Sequence, residues 1–243
     1  QSDVTPAQLY AAFRRRQPGR HGGVVSLGET DIISFSPELF FERSGKNMRM
    51  RPMKGTRPRG QTDDAAIAAA MQAEPKSRAE NLMIVDLMRN DIGRFCETGT
   101  VRAPQLFDIE SYANVHHMVS TVTGRLRAAS DAIDLINGAL PGGSITGAPK
   151  IRSMQIIREL EPHNRSVYCG TLAWFDSRGY ADSSILIRTV LFEQKESVAN
   201  CEQYTGHAYC WGGGGIVSDS TAEQEYQESC YKVENLLSAL QNL

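Results

Sequence analysis

No C-x-x-C pair, no H-E-x-x-H and no G-x-x-x-x-G-K-[ST] string occurs in these 243 residues. That removes the usual signatures of a zinc ribbon, a zincin protease and a P-loop nucleotide site. The five cysteines, Cys96, Cys169, Cys201, Cys210 and Cys230, are scattered and odd in number. A disulfide framework is therefore not expected, and a reducing cytoplasm is the natural setting. No apolar run approaches the ~18–20 residues that cross a bilayer, so no membrane partner is expected. A net charge of −2 argues against a nucleic-acid binder working through a broad basic surface. There is no 20–50-residue repeat and no low-complexity tract. A signal-peptide pattern is also missing, but residue 1 is Gln rather than Met. The chain is accordingly expected to be a fragment or processed product, for which a missing signal says little.

What is present is an ordinary globular composition, 41% hydrophobic and 22% charged. With no convincing linker, residues 1–243 read as one domain. Residues 5–16 predict a helix with Thr5 as N-cap and Pro6 in the first turn. Residues 24–51 predict short strands broken by Gly28, Pro37 and Gly45, followed by a basic loop. Helices are expected over 62–73 and 77–93, the second apolar around much of its circumference and so largely buried. Strands are expected at 100–108, 115–126, 167–175, 183–192 and 207–211, and helices at 131–140, 151–160 and 221–240. Regular βα alternation is missing, so the class is α+β.

The basic stretch from Arg51 to Gly60 is the most informative. Lys54 lies among Arg49, Arg51, Arg57 and Arg59, with no acid from residue 43 through 62. Surrounding positive charge pushes a lysine toward its neutral, nucleophilic form and suits an anionic substrate. A solvated basic loop is the plainer alternative. Ser36-Pro37-Glu38 lies sixteen residues before Lys54. If a hairpin intervenes, Glu38 and Lys54 could face one cavity, with Glu38 a general acid.

In the last helix, Tyr226, Cys230, Val233, Leu237 and Leu240 are spaced as one apolar seam. Glu225, Glu228 and Lys232 share a narrow arc away from it, either a solvated face or a charged wall with carboxylates for a hard cation. Glu80 opens a helix that is otherwise nearly all apolar; a first-turn acid and a paired or metal-bound acid are both consistent with that. The turn from Gly142 to Lys150 runs into a helix whose first N–H groups can hold an anion, and four glycines follow Trp211, allowing close backbone approach to a ligand.

Taken together, SPELF (36–40), PMKGTRPRG (52–60), AENLMIVDLMRNDIGR (79–94), VHHMVS (115–120), PGGSITGAPK (141–150), SILIRT (184–189), GGGIV (213–217) and EYQE (225–228) closely resemble the chorismate-utilising enzymes, in family order. Within that family the lysine of PMKGT resembles the branch that forms 4-amino-4-deoxychorismate. The anthranilate-forming branch usually has a small residue there, and isochorismate synthases lack the lysine. The resemblance implies amination of chorismate, on the route to 4-aminobenzoate and folate. It also implies ammonia from a separate glutamine amidotransferase subunit and Mg²⁺ as cofactor.

Carried over by position, Lys54 looks like the nucleophile that adds at ring C2, and Glu38 like the acid that releases the C4 hydroxyl. Glu80 and Glu228 look like magnesium ligands, with Glu225 close by. Gly55, Thr56, Tyr168, Arg188, Gly213, Gly214, Gly215 and Lys232 match substrate contacts, and His117 and Thr146 match positions lining the site. Cationic groups and glycine N–H donors suit the chorismate dianion. The implied fold is two antiparallel sheets packed face to face with helices outside, of which this chain would hold part, the family's front half being absent. Residues 17–23 lack the family's proline-flanked segment, and Ser77 stands where an acid is often found. The other readings are the anthranilate-forming branch and a non-catalytic fragment that binds the amidotransferase partner.

Overall fold

The computed structural model describes residues 5–16, 20–60, 63–112, 115–194 and 206–241. In chain order it contains α1 (Pro6–Arg16), β1 (His21–Ser26), β2 (Thr30–Ser36), β3 (Leu39–Ser44), β4 (Asn47–Met50) and β5 (Met53–Pro58). Next come α2 (Asp64–Ala73), α3 (Pro75–Gly93), β6 (Arg102–Ser111), β7 (Val115–Arg125) and α4 (Ala132–Ala139). A 3₁₀ turn (Gly143–Ile145) precedes α5 (Lys150–Leu160), β8 (Thr171–Phe175), β9 (Tyr180–Ile185), β10 (Thr189–Gln194), β11 (Gly206–Cys210) and α6 (Ala222–Gln241). Six α-helices and two antiparallel sheets among the described residues match the expected α+β class. No helix among them is long and apolar enough to cross a membrane. The chain divides into two compact units, one of residues 1–37, 165–172 and 184–243, the other of 38–164 and 173–183.

In the first unit, the predicted cap of α1 is present. Thr5 Oγ1 accepts the Gln8 N–H at 3.3 Å while Gln8 Oε1 accepts the Thr5 N–H at 2.8 Å, a reciprocal capping box. The sheet runs β1-β2-β10-β11. Its core joins Leu9 and Phe13 of α1, Ile33 and Phe35 of β2, Val190 of β10, and Leu236 and Ala239 of α6. The strand expected from residue 167 begins only at Thr171, because Ser166 and Cys169 take positive φ values of 50° and 67° and turn the chain.

The apolar seam expected on α6 is not its buried face. Tyr226 and Leu237 are 68% and 45% exposed. The inward residues are Leu236 and Ala239, with Glu225, Ser229, Lys232, Val233 and Leu240 half-buried beside them. That stripe is rotated by roughly 80° from the seam. The glycine run explains the rotation: a Cβ on Gly212 would stand 2.5 Å from the Ser229 carbonyl oxygen. Glycine lets a polar stretch of helix approach backbone, where larger residues would hold it off.

In the second unit the sheet runs β5-β7-β4-β3-β9-β8, with β6 also paired to β7. The basic segment expected as a loop is mostly strand β5. After β4 the chain turns at Pro52, whose carbonyl accepts the Ser120 N–H at 3.1 Å, and β5 continues along the same edge of β7. Helix α3 packs on β7, burying Ile84, Val85, Met88 and Ile92 near Met118 and Val122. It is less buried than its composition predicts, with Leu82 and Met83 at 44% and 38% exposure. It begins at Pro75, so Glu80 lies in its second turn rather than opening it.

Candidate active site

The second unit forms two contacts among the candidates at β5, Lys54 with Glu80 of α3 and Thr56 with His117 of β7, with Gly55 between them. Lys54 pairs with Met118 and Thr56 with His117, and the register slips by one residue at Gly55. This bulge places Gly55 at φ 79°, a left-handed conformation that glycine adopts without strain. A Cβ there would also meet Met71 Cε at 3.0 Å. Beside the bulge, Lys54 Nζ lies 3.4 Å from Glu80 Oε2, both side chains 21% exposed. Thr56 Oγ1 and His117 Nδ1 are hydrogen-bonded at 3.0 Å, and the His117 ring is buried edge-on to Tyr112.

The fold offsets the positive charge around Lys54 that the sequence suggests. Arg49 pairs with Glu42 at 2.7 Å, Arg57 with Glu74 at 2.8 Å, Arg59 with Asp64 at 2.6 Å, and Arg51 closely with Glu110. Acids just outside the segment (Glu42, Asp64) and farther along the chain (Glu74, Glu110) therefore match each arginine, and the charged partner of Lys54 is a carboxylate. What the fold supplies to Lys54 is position, not an unbalanced cationic field.

Glu38 is buried at 6% exposure just before β3. The β3–β4 hairpin does separate it from β5, as the spacing required. Thr146 follows the 3₁₀ turn, and its hydroxyl donates to the Gly142 carbonyl at 2.9 Å, which closes that turn. Sequence reasoning missed Lys150 and Asp91, paired at 2.6 Å with Asp91 almost fully buried. Both lie inside strings already singled out, but nothing local links them. It also missed His116, buried between Ser111 Oγ on Nδ1 and Asp64 Oδ1 on Nε2, each at 2.8 Å.

The first unit holds the remaining candidates. Lys232 Nζ sits 2.6 Å from Glu228 and donates to the Gly213 carbonyl at 3.0 Å. A Cβ on Gly213 would meet Tyr168 Oη at 2.7 Å, and one on Gly214 would meet Glu225 Oε2 at 2.7 Å. These two glycines, followed by Gly215, thus run between the tyrosine and α6. Tyr168 stacks on Trp211 at 6.2 Å. Glu225 accepts the Ser220 hydroxyl at 2.5 Å. Burial lowers the pKa of the Arg188 guanidinium from its ordinary value, opposed by Tyr231; no carboxylate among the described residues offsets it. A partly buried, uncompensated guanidinium suits a carboxylate ligand.

Glu80, Glu225 and Glu228 are hard oxygen donors of the kind magnesium takes. Among the described residues no group of three or more acidic, His or Cys side chains forms a ready-made cage. Magnesium commonly binds through one or two carboxylates, with water and substrate oxygens completing its shell, so these residues fit it by donor chemistry.

A family model described as chorismate binding enzyme matches residues 1–238, through both units. An aminodeoxychorismate synthase component 1 of Klebsiella aerogenes is 46% identical over 237 residues, covering 97% of this chain and 50% of that protein. An anthranilate synthase component 1 of Streptomyces coelicolor is 40% identical over 238 residues, covering 97% and 44%. Among solved structures, anthranilate synthase component I from Streptococcus pneumoniae TIGR4 superposes with a TM-score of 0.81 at 34% identity, covering 96% of this chain and 50% of that one. The chain spans about half the length of the curated relatives it matches.

Proposed function

The chain belongs to the chorismate-binding enzymes, and from that premise we propose that it carries the catalytic groups of an aminodeoxychorismate synthase. The reaction is chorismate plus ammonia giving 4-amino-4-deoxychorismate and water. The observation that carries this reading is Lys54, held on a glycine bulge with its amine beside Glu80.

In the proposed sequence the Lys54 nitrogen bonds to ring C2, the ring double bonds shift, and the C4–oxygen bond breaks. Glu38 protonates the departing oxygen, so water leaves rather than hydroxide. The Lys54 nitrogen loses a proton as it becomes a neutral secondary amine, and that proton returns to Glu38. Ammonia then bonds to C4, the double bonds shift back, and the C2–Nζ bond breaks. The incoming nitrogen loses one proton and the lysine nitrogen regains one, which leaves Glu38 and Lys54 as they began. Two displacements replace a single difficult one.

Substrate binding falls to Arg188, Lys232 and the N–H groups of Gly213, Gly214 and Gly215, with Gly55, Thr56, Tyr168, His117 and Thr146 as further contacts. This donor set matches a dianion. Magnesium, for which Glu80 and Glu228 are the proposed ligands with Glu225 close by, would supply fixed positive charge for a substrate carboxylate. The proposed ammonia source is a glutamine amidotransferase subunit, and the proposed setting is the cytoplasm.

Incubation with chorismate, Mg²⁺ and ammonium, followed by mass identification, tests the reading. The expected product yields 4-aminobenzoate after lyase treatment. Direct formation of anthranilate would assign the chain to the other branch instead. Formation of neither product by a protein that binds chorismate would support a binding role alone.

A further inference from the structure

Away from these candidates, the strand pairing gathers a second set of polar groups. Glu42 pairs with Arg49 across β3 and β4, Ser44 with Asn47, Asn47 with Arg125 across β4 and β7, and Arg49 with Thr123. Directly opposed residues share a sheet face, so these six side chains lie on one side. Met48, Met50 and Val122 lie on the other and are buried. A cavity of about 540 Å³ opens here, lined by Glu42, Ser44, Asn47, Arg49, Thr123 and Arg125, with Met48, Thr100 and Gly124 completing it.

This concavity is rich in donors. Arg49 Nη2 is paired to Glu42 at 2.7 Å, yet its Nε–H is buried and has no acceptor among the described residues. A buried donor without an acceptor is costly, and an incoming oxygen would offset that cost. Arg125 contacts Glu97 through Nε at 3.3 Å. Each guanidinium has more N–H donors than one carboxylate can use. Ser44, Thr123 and Asn47 contribute hydroxyl and amide donors. Glu42 is the acid lining the cavity, and its charge is directed to Arg49.

We propose that this face of β3, β4 and β7 is a second binding site, for a small molecule carrying a phosphate-like oxyanion of the phosphate monoester class. The guanidinium fork fits the spacing of phosphate oxygens, and the cavity has room for the organic portion. The two carboxylates balance the arginine charges, so affinity comes from directed donors rather than net charge. The site shares no residue with the chorismate candidates and stands independently of the proposed reaction.

Calorimetric titration with glycerol 3-phosphate at fixed ionic strength tests the proposal, with inorganic phosphate as a second probe. Saturable binding is expected, weakened by about tenfold or more in Arg125→Met and in Arg49→Met, the scale of one lost charge-assisted contact. Arg152→Met removes an exposed arginine that is paired to Glu159 at 3.3 Å outside the cavity, and it should bind like the parent. Phosphate binding as tightly as the ester would mean that the oxyanion alone suffices. Weaker binding would assign the difference to the organic portion. A parent that does not saturate, or variants that bind as well as the parent, would overturn the site. Amide-shift mapping on the parent gives an answer even if a variant fails to fold: Gly124 and Asn47 must move with added ester, and their silence would also overturn it.

Discussion

Lys54 Nζ and Glu80 Oε2 face one another across 3.4 Å, the first from a bulged strand and the second from a helix packed on the same sheet. The pairing holds the amine to one side of β5 and gives the carboxylate a protein partner. If Lys54 is the nucleophile, withholding ammonia should trap it on the ring. Intact-mass analysis after quenching, then peptide mapping, should find an adduct on the peptide containing Met53-Lys54-Gly55. Lys54→Ala should lose the adduct and nearly all turnover. Lys46→Ala, in the turn between β3 and β4, should keep both. Parent-level amination by Lys54→Ala would rule out the covalent route.

Glu38→Gln should preserve chorismate binding and lower kcat by a factor on the order of 10²–10⁴, the range for a lost general acid. Buried as it is, the amide can replace the carboxyl in volume but cannot donate the same proton. A change confined to KM would mean that Glu38 only shapes the site.

Glu228→Ala should remove the Mg²⁺-dependent part of chorismate binding while leaving the fold intact. The Glu228 side chain is 54% exposed and bonded to Lys232, so its loss creates no cavity. Calorimetry with and without Mg²⁺ provides the comparison. Binding that still responds fully to Mg²⁺ would return Glu228 to an ordinary surface pair.

Gly55→Ala should destabilise the protein by about 1–2 kcal/mol, the cost of forcing an L-residue into a left-handed conformation. Crowding against Met71 Cε adds to that cost. Because Lys54 adjoins the bulge, turnover at a temperature where the variant is fully folded should also fall. Denaturant unfolding and kinetics on the same preparation separate the two effects, and full activity would show that the bulge does not set the amine.

Asp91 supplies a pH test. Burial raises its pKa above the ordinary carboxylate value, although Lys150 and then Arg94 pull it down. The folded state therefore holds this proton more tightly than the unfolded state. The stability contributed by Asp91 is complete below the ordinary value and is lost as pH rises through the folded one. Lys150→Met should destabilise by about 3–5 kcal/mol near neutral pH, because it strands a buried charge. Part of that loss should return in acid, where the carboxyl is neutral, and more should return with Asp91→Asn in the same background. A loss that is flat from acid to neutral pH in urea unfolding would show that Asp91 carries no charge in the folded state.

The parts legible in sequence were those decided within a few residues. Thr5, Pro6 and Gln8 form the α1 cap among themselves, and Gly28, Pro37 and Gly45 interrupt the strands where predicted. The face of α6 was not legible, because Glu225 and Lys232 turn inward only where the glycine run lets the helix approach. Nor were the partners of Arg51 and Arg57, since Glu110 and Glu74 reach them through the sheet and the neighbouring helix. The family strings named candidate positions for the site. They carried no information on distances, so the Lys54–Glu80 contact and the buried Lys150–Asp91 pair emerge only in three dimensions.

Strands β4 and β5 share one edge of β7 and are joined at Arg51-Pro52. Their alignments are consequently set by two separate runs of backbone bonds. Length changes in the 44–47 turn can be absorbed before the second run begins, whereas one residue added between Met53 and Lys54 would carry Lys54 to the opposite side of the sheet. Natural length variation in this region should therefore collect at the hairpin tip and be scarce from Pro52 to Pro58. A library of single-residue insertions, scored for chorismate amination, would map that boundary directly.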